Sequence, residues 1–221
     1  MDVIEAIKRR RSTRVFLDKP VSRETVEAIL DTARWAASGG NLQPWRVVVV
    51  TGNSKQRIGD AIIAAREVGT KEHPDQPYYP AEWFEPYKSR RKASGIALYQ
   101  SMAIAREDEL RKKAAWYSNY RFFDAPVGLL FFIDRRLATG SLLDIGMLLQ
   151  SIMLTALTHG LATCPQASLA DYPDIVRNCV AVSGDYSLVC GMSLGYADTE
   201  AAVNKYRTER AGVSEFVSWC D

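Results

Sequence analysis

The segment 142–157 constrains this chain more than any other. Leu142, Leu143, Ile145, Met147, Leu148, Leu149, Ile152, Met153, Leu154 and Leu157 recur at helical spacing, yet they cover more than one face. A helix apolar nearly all round must be covered on every side, in a large core or at a subunit interface. Asp144 and Gln150 interrupt the run, and it is too short for a membrane span. The chain has 221 residues, 47% hydrophobic and 24% charged, which suffices for one domain over 1–221. Lys+Arg 28 against Asp+Glu 26 leaves +2, too balanced for a dedicated nucleic-acid binder. Four cysteines without a CxxC pair exclude a disulfide scaffold and a zinc ribbon. With no apolar leader in MDVIEAIKRRRSTR, the cysteines predict a reducing cytoplasm.

Helical periodicity alternates with short β-branched runs, so mixed α and β structure is expected. Helices are predicted over 2–10, from a Ser22 cap to about residue 37, from Ser54 to about 68, across 87–120, and over 140–159. Ser141 and Asp144 have the spacing of a capping box, and Pro173 opens a further short helix. WRVVVVT at 45–51 predicts a strand buried on both faces, and VGLLFFID at 127–134 a second. Residues 187–196 predict a third. Between them, 69–86 carries Pro74, Pro77, Pro80 and Pro86 among Tyr78, Tyr79, Trp83 and Phe84. Loops of that length usually cover or bind something. The region 200–221 is a polar tail.

Several signatures can be discounted. Gly191-Met192-Ser193-Leu194-Gly195 matches GxSxG, but a nucleophile elbow needs a histidine after its serine. The two histidines, His73 and His159, both precede Ser193, so the glycines read instead as close backbone approaches. GxGxxG, Walker A and HExxH are absent from the sequence.

Two basic clusters remain. Lys8, Arg9, Arg10, Arg11 and Arg14, with Ser12 and Thr13, crowd one helix end; NKYRTER at 204–210 adds Lys205, Arg207 and Arg210. Alone, the first is a solvated helix terminus favoured by the dipole. Converging with the second, it would clamp a small dianion such as a phosphate monoester, since arginine forks bind such oxygens bidentately. Ser38-Gly39-Gly40-Asn41-Leu42-Gln43-Pro44-Trp45 reads either as a plain connection or as a flat slot for a planar ring, with Asn41 and Gln43 at its edges.

RRRSTRVF, ASGGNLQPW, TCPQAS at 163–168 and NKYRTER, in that order, resemble the FMN-dependent nitroreductase family. The long tyrosine/proline loop, FFDAPVGLLFFID and GSLLDIGMLLQS resemble its nitrobenzoate and nitroaromatic reductase branch in particular. The resemblance implies an α+β fold with a central, mostly antiparallel sheet flanked by helices, and a domain-like homodimer with FMN at the subunit interface. It implies that Arg10, Ser12 and Arg207 hold the FMN phosphate, with Arg11 and Lys205 nearby and Arg14 toward the flavin N1/O2 edge. Ala37, Ser38, Gly39, Asn41 and Gln43 would serve the cofactor as well, the first four from the partner chain. Pro165, Gln166 and Ala167 would lie against the flavin, one backbone N–H facing N5. Many relatives carry Pro-Ile-Glu-Gly where this chain has Pro165-Gln166-Ala167-Ser168, so that donor stays open between Gln166 and Ala167. Tyr78, Tyr79, Trp83, Phe84, Phe122 and Phe123 are candidates to cover a substrate ring. The implied activity is two-step hydride transfer from NAD(P)H, with NADPH favoured, to a small nitroaromatic, giving nitroso and then hydroxylamine. A quinone or enone reductase, or another flavin oxidoreductase of the same fold, is the alternative. No metal, nucleic acid or membrane partner is expected, and flavin chemistry needs no protein nucleophile.

Overall fold

The computed structural model describes residues 1–220. Strands β1 (Arg46–Thr51), β2 (Val127–Asp134), β3 (Ala162–Gln166) and β4 (Tyr186–Gly195) form one antiparallel sheet in the order β1-β2-β4-β3. Around it lie α1 (Val3–Arg9), α2 (Arg23–Ala33), α3 (Gly52–Glu67), α4 (Tyr87–Ser101), α5 (Glu109–Tyr117), α6 (Gly140–Thr158) and α7 (Pro173–Val180). The expected α+β class and mostly antiparallel sheet are therefore what the chain adopts.

Strand alternation sorts the core into two layers. Val127, Leu129 and Phe131 of β2 join Ile29 of α2 and Leu148 and Ile152 of α6 on one face. Leu130 and Phe132 join Ile58 and Ile62 of α3 and Val176 of α7 on the other. Because β2 and β4 are central, their side chains are buried on both faces.

Five expectations need correction. Strand β1 is an edge strand whose Val49 is exposed, so its valine run does not signal burial on both faces. A fourth strand, β3, was not expected: Pro165 argues against a strand, yet an edge position tolerates a missing N–H. Helix α2 stops at Ala33, four residues short of Ala37, because Asp144 Oδ1 accepts from Gly39 N at 3.1 Å and draws the following chain onto α6. That same bond removes Asp144 from any capping box, and α6 begins after Thr139 without a side-chain cap. The predicted helix 87–120 is two helices, α4 and α5, separated by left-handed Ala103 and restarted by Asp108, whose carboxylate caps Arg111 N at 3.0 Å.

Helix α6 keeps its expected character. Ile145, Leu148, Ile152 and Ala156 face the core, but Leu143 is 73% exposed. One flank of this apolar helix is left open to solvent.

Candidate active site

The arginine segment after α1 is placed by backbone pairing. Ser12 bridges Thr163 at the outer edge of β3, Thr13 N donates to Thr163 O at 3.0 Å, and Leu17 N donates to Tyr196 O at 2.8 Å. The polar tail then folds back over it. Asn204, buried although it sits in that tail, accepts from Arg14 N through Oδ1 at 2.8 Å and donates through Nδ2 to Val15 O at 2.7 Å. Arg11 Nη1 donates to Asn204 O at 2.7 Å, and Arg207 Nη2 donates to Lys8 O and, at 3.0 Å, to Arg9 O. Thus two segments some two hundred positions apart meet, as convergence of the clusters requires.

Between them lies a cavity of about 590 Å³ lined by Lys8, Arg10, Arg11, Ser12, Arg14, Tyr206, Arg207 and Arg210, with Ser94 of α4 and Gln150 of α6. Among the described residues no carboxylate lines it. Burial and then the nearby Arg210 hold the Arg10 guanidinium below its ordinary pKa; Cys164 opposes them and Arg207 adds to them. Like charges gathered without a counterion are unfavourable unless an anion joins them. The donor set therefore fits a phosphate dianion.

The remaining expected site residues are scattered in this single chain. Lys205 lines an adjoining cavity of about 420 Å³ and pairs with Glu200 at 3.1 Å. Ala37, Gly39, Asn41 and Gln43 are exposed and Ser38 half-buried, and none lines the cationic cavity. Within that segment Gln43 N donates to Ser38 Oγ at 3.0 Å, and left-handed Asn41 and Gln43 turn the chain toward β1. Pro165 and Ala167 bracket the end of β3, but the Gln166 side chain is turned inward, its Nε2 donating to Asn119 O at 2.5 Å. Tyr78, Tyr79 and Phe84 are exposed; Trp83 stacks 5.3 Å from Tyr79 with the Arg91 guanidinium 4.9 Å above it. Phe122 is a core residue wedged against Gly128, where an added Cβ would lie 2.6 Å from its ring, so this ring is not free to cover a substrate. Phe123, also buried, lies 6.0 Å from the Arg14 guanidinium.

A family model described as the nitroreductase family matches residues 7–196. The chain belongs to the nitroreductase family. It is 37% identical over 216 residues to a nitrobenzene nitroreductase of Ectopseudomonas oleovorans, covering 97% of this chain and 95% of that protein. A 4-nitrobenzoate reductase of Pseudomonas putida is 37% identical over 209 residues, covering 95% and 91%. Among solved structures, the FMN and NADPH-dependent nitroreductase NfnB from Sphigopyxis sp. strain HMH superposes with a TM-score of 0.97 at 41% identity, over the whole of both chains. The FMN-dependent NfnB from Mycobacterium smegmatis, solved in complex with NADPH, has a TM-score of 0.92 at 34% identity, again over both whole chains.

Two residues of the NKYRTER segment lie outside the expected cofactor set yet shape this region. Asn204 ties the tail to the arginine segment, and Arg210 adds charge beside Arg10. Both belong to NKYRTER, but only Arg210 carries the charge that makes the cluster conspicuous. Ser193, the centre of the GxSxG match, is fully buried in β4 and its hydroxyl faces Gln166 and Phe122, as a strand residue rather than an elbow. Gly195 is a close approach, because a Cβ there would lie 2.6 Å from Pro126 Cδ. Among the described residues no group of His, Cys, Asp and Glu could hold a metal ion.

Proposed function

We propose that this chain is an FMN-dependent NAD(P)H oxidoreductase that reduces small nitroaromatic compounds to nitroso and hydroxylamine products. The observation that carries the reading is the cationic cavity that Lys8–Arg14 and Tyr206–Arg210 build together, with no carboxylate among its described lining residues. Nitroaromatic reductases align with nearly its whole length, which supports the acceptor class. When bound, FMN supplies the redox chemistry, taking a hydride from reduced nicotinamide and giving electrons to the nitro group.

The chain's own groups bind and orient. Arg10, Ser12 and Arg207 hold the phosphate, with Arg11 and Arg210 adding charge around it. Arg14, fixed by Asn204 and by Tyr206 OH at 3.2 Å, sets a cation toward the N1/O2 edge of the ring. A backbone N–H at Gln166 or Ala167 would serve as the hydrogen-bond donor to the flavin. Ser38, Gly39 and Asn41 reach the cofactor from a second copy of the chain, consistent with their exposure here. Tyr78, Tyr79, Trp83 and Phe84 exclude water over the acceptor. The active unit is then a homodimer of single-domain chains, and a reducing cytoplasm suits its four unpaired cysteines.

The test is spectroscopic and kinetic. Purified protein incubated with FMN should be yellow and, with NADPH, should convert 4-nitrobenzoate faster than a quinone. Arg207→Ala should weaken FMN binding by about 1.5–3 kcal/mol, the range for a hydrogen bond to a charged group. A protein that takes up no FMN overturns the reading.

A further inference from the structure

The turn before β2 holds three successive non-glycine residues in the left-handed region: Phe122, Phe123 and Asp124, at φ 55°, 51° and 57°. Such a run persists only where its surroundings over-determine it, and strained backbone of this kind gathers at functional sites. The surroundings here are a buried polar knot. Gln166 Nε2 donates to Asn119 O at 2.5 Å, and Ser193 Oγ lies 2.8 Å from Phe122 O and 2.7 Å from Gln166 Oε1. The single hydroxyl proton of Ser193 thus has two acceptors within reach. Gln166 is 2% exposed and Ser193 not at all, so neither side chain touches the cationic cavity.

What the turn delivers is Phe123. The Arg14 guanidinium lies over its ring, 6.0 Å from the centroid, while Tyr206 OH meets Arg14 Nη1 from the tail at 3.2 Å. Arg14 is therefore held from two directions at the cavity wall. A fixed charge acts on a neighbouring ring without reorganising, whereas a mobile guanidinium is screened by water.

We propose that Gln166 and Ser193 are positioning residues, which through the strained turn press Phe123 against Arg14 and so fix that guanidinium in the flavin cavity. The proposal rests on the FMN reading above. It also gives the GxSxG match a role: Ser193 supplies a hydroxyl at a strand position facing both Gln166 and the turn.

The test is a double-mutant cycle on the FMN-loaded protein, reading the midpoint potential of the bound flavin and the dissociation constant of reduced FMN. Ser193→Ala and, separately, Phe123→Leu are made in the native chain and in Arg14→Lys. In the native chain each should lower the potential and weaken binding of reduced FMN by about fivefold or more. In the Arg14→Lys chain the same changes should have little further effect, because groups acting through one another are not additive. Equal shifts in both backgrounds, or an unchanged potential in the native one, overturn the proposal. Should Ser193→Ala fail to fold, Ser193→Cys, which keeps the volume but weakens the hydrogen bonds to Phe122 O and Gln166 Oε1, takes its place in the cycle. A native protein that retains no FMN would instead defeat the functional reading itself.

Discussion

Asp171 sits in the short 3₁₀ turn Ala167–Asp171 after β3, half-buried beside Arg66 and Glu72. Burial and the Glu72 charge push its carboxyl up to about 6, against the pull of Arg66. A folded pKa above the unfolded one means the native state binds the proton more tightly. Stability therefore falls as pH rises from about 4 through 6 and stays lower above. Asp171→Asn should raise unfolding free energy near pH 7.5 by about 1–2 kcal/mol, with solvent screening allowed for, and change it little at pH 4. Denaturant titration at the two pH values checks this; an equal gain at both would mean that ionisation is not the cause. At this scale the sequence speaks unevenly. Arg10 and Arg207 were legible because clustered like charge is conspicuous and energetically costly. Asn204 was not, since one asparagine in a polar tail looks like any other until folding buries it. Phe122 misled for the opposite reason: an aromatic beside a candidate site reads the same whether its ring faces a substrate or Gly128.

Elements fared better where periodicity was strong. The strand at Val127–Asp134 and the helix from Pro173 appear as expected, because uninterrupted apolar runs and a proline at N1 leave few alternatives. Errors fall where a long-range contact overrides local preference, as Asp144 does at the end of α2 and β4 does in recruiting β3 despite Pro165. The 69–86 loop was legible as irregular, but not its anchor. Asp75 takes Arg177, Arg135 at 2.5 Å and Leu188 N at 2.9 Å, and its side chain is only 6% exposed. Burial alone would raise this carboxyl, but the hydrogen bonds from Arg177, Leu188 and Arg135 hold it below the usual carboxylate range. Asp75→Ala would leave the equally buried Arg177 with only Asp174, at 2.5 Å, as counter-charge. Losing one partner of a buried pair costs about 3–5 kcal/mol. The variant should unfold at lower denaturant and be cut by protease within 69–86 before the sheet is attacked. Unchanged protection of that segment would show that the loop is held elsewhere.

For the whole molecule, helix α6 links fold to assembly. Its core-facing side is covered by α2 and the sheet, yet Leu143 is 73% and Met147 39% exposed. On neighbouring α1, Val3, Ile4 and Ile7 are exposed to 68%, 66% and 50%. Apolar side chains grouped in this way mark an association surface rather than ordinary exterior. In the proposed homodimer a second copy would cover this surface and supply the slot for the ring, since Ser38–Asn41 is docked on the same helix through Asp144. Dimerisation and cofactor binding should then fail together. Leu143→Arg places a charge where about 1.5–3 kcal/mol of burial is gained per side chain, twice over in a symmetric contact. Sedimentation should show a monomer, and that monomer should lose FMN on gel filtration although Arg10, Ser12 and Arg207 are intact. Val68→Arg, at the end of α3 against the opposite face of the sheet, should leave both mass and flavin content unchanged. A Leu143→Arg monomer that keeps its flavin would mean one chain closes the site alone, and the exposed Ser38–Asn41 segment would need another explanation.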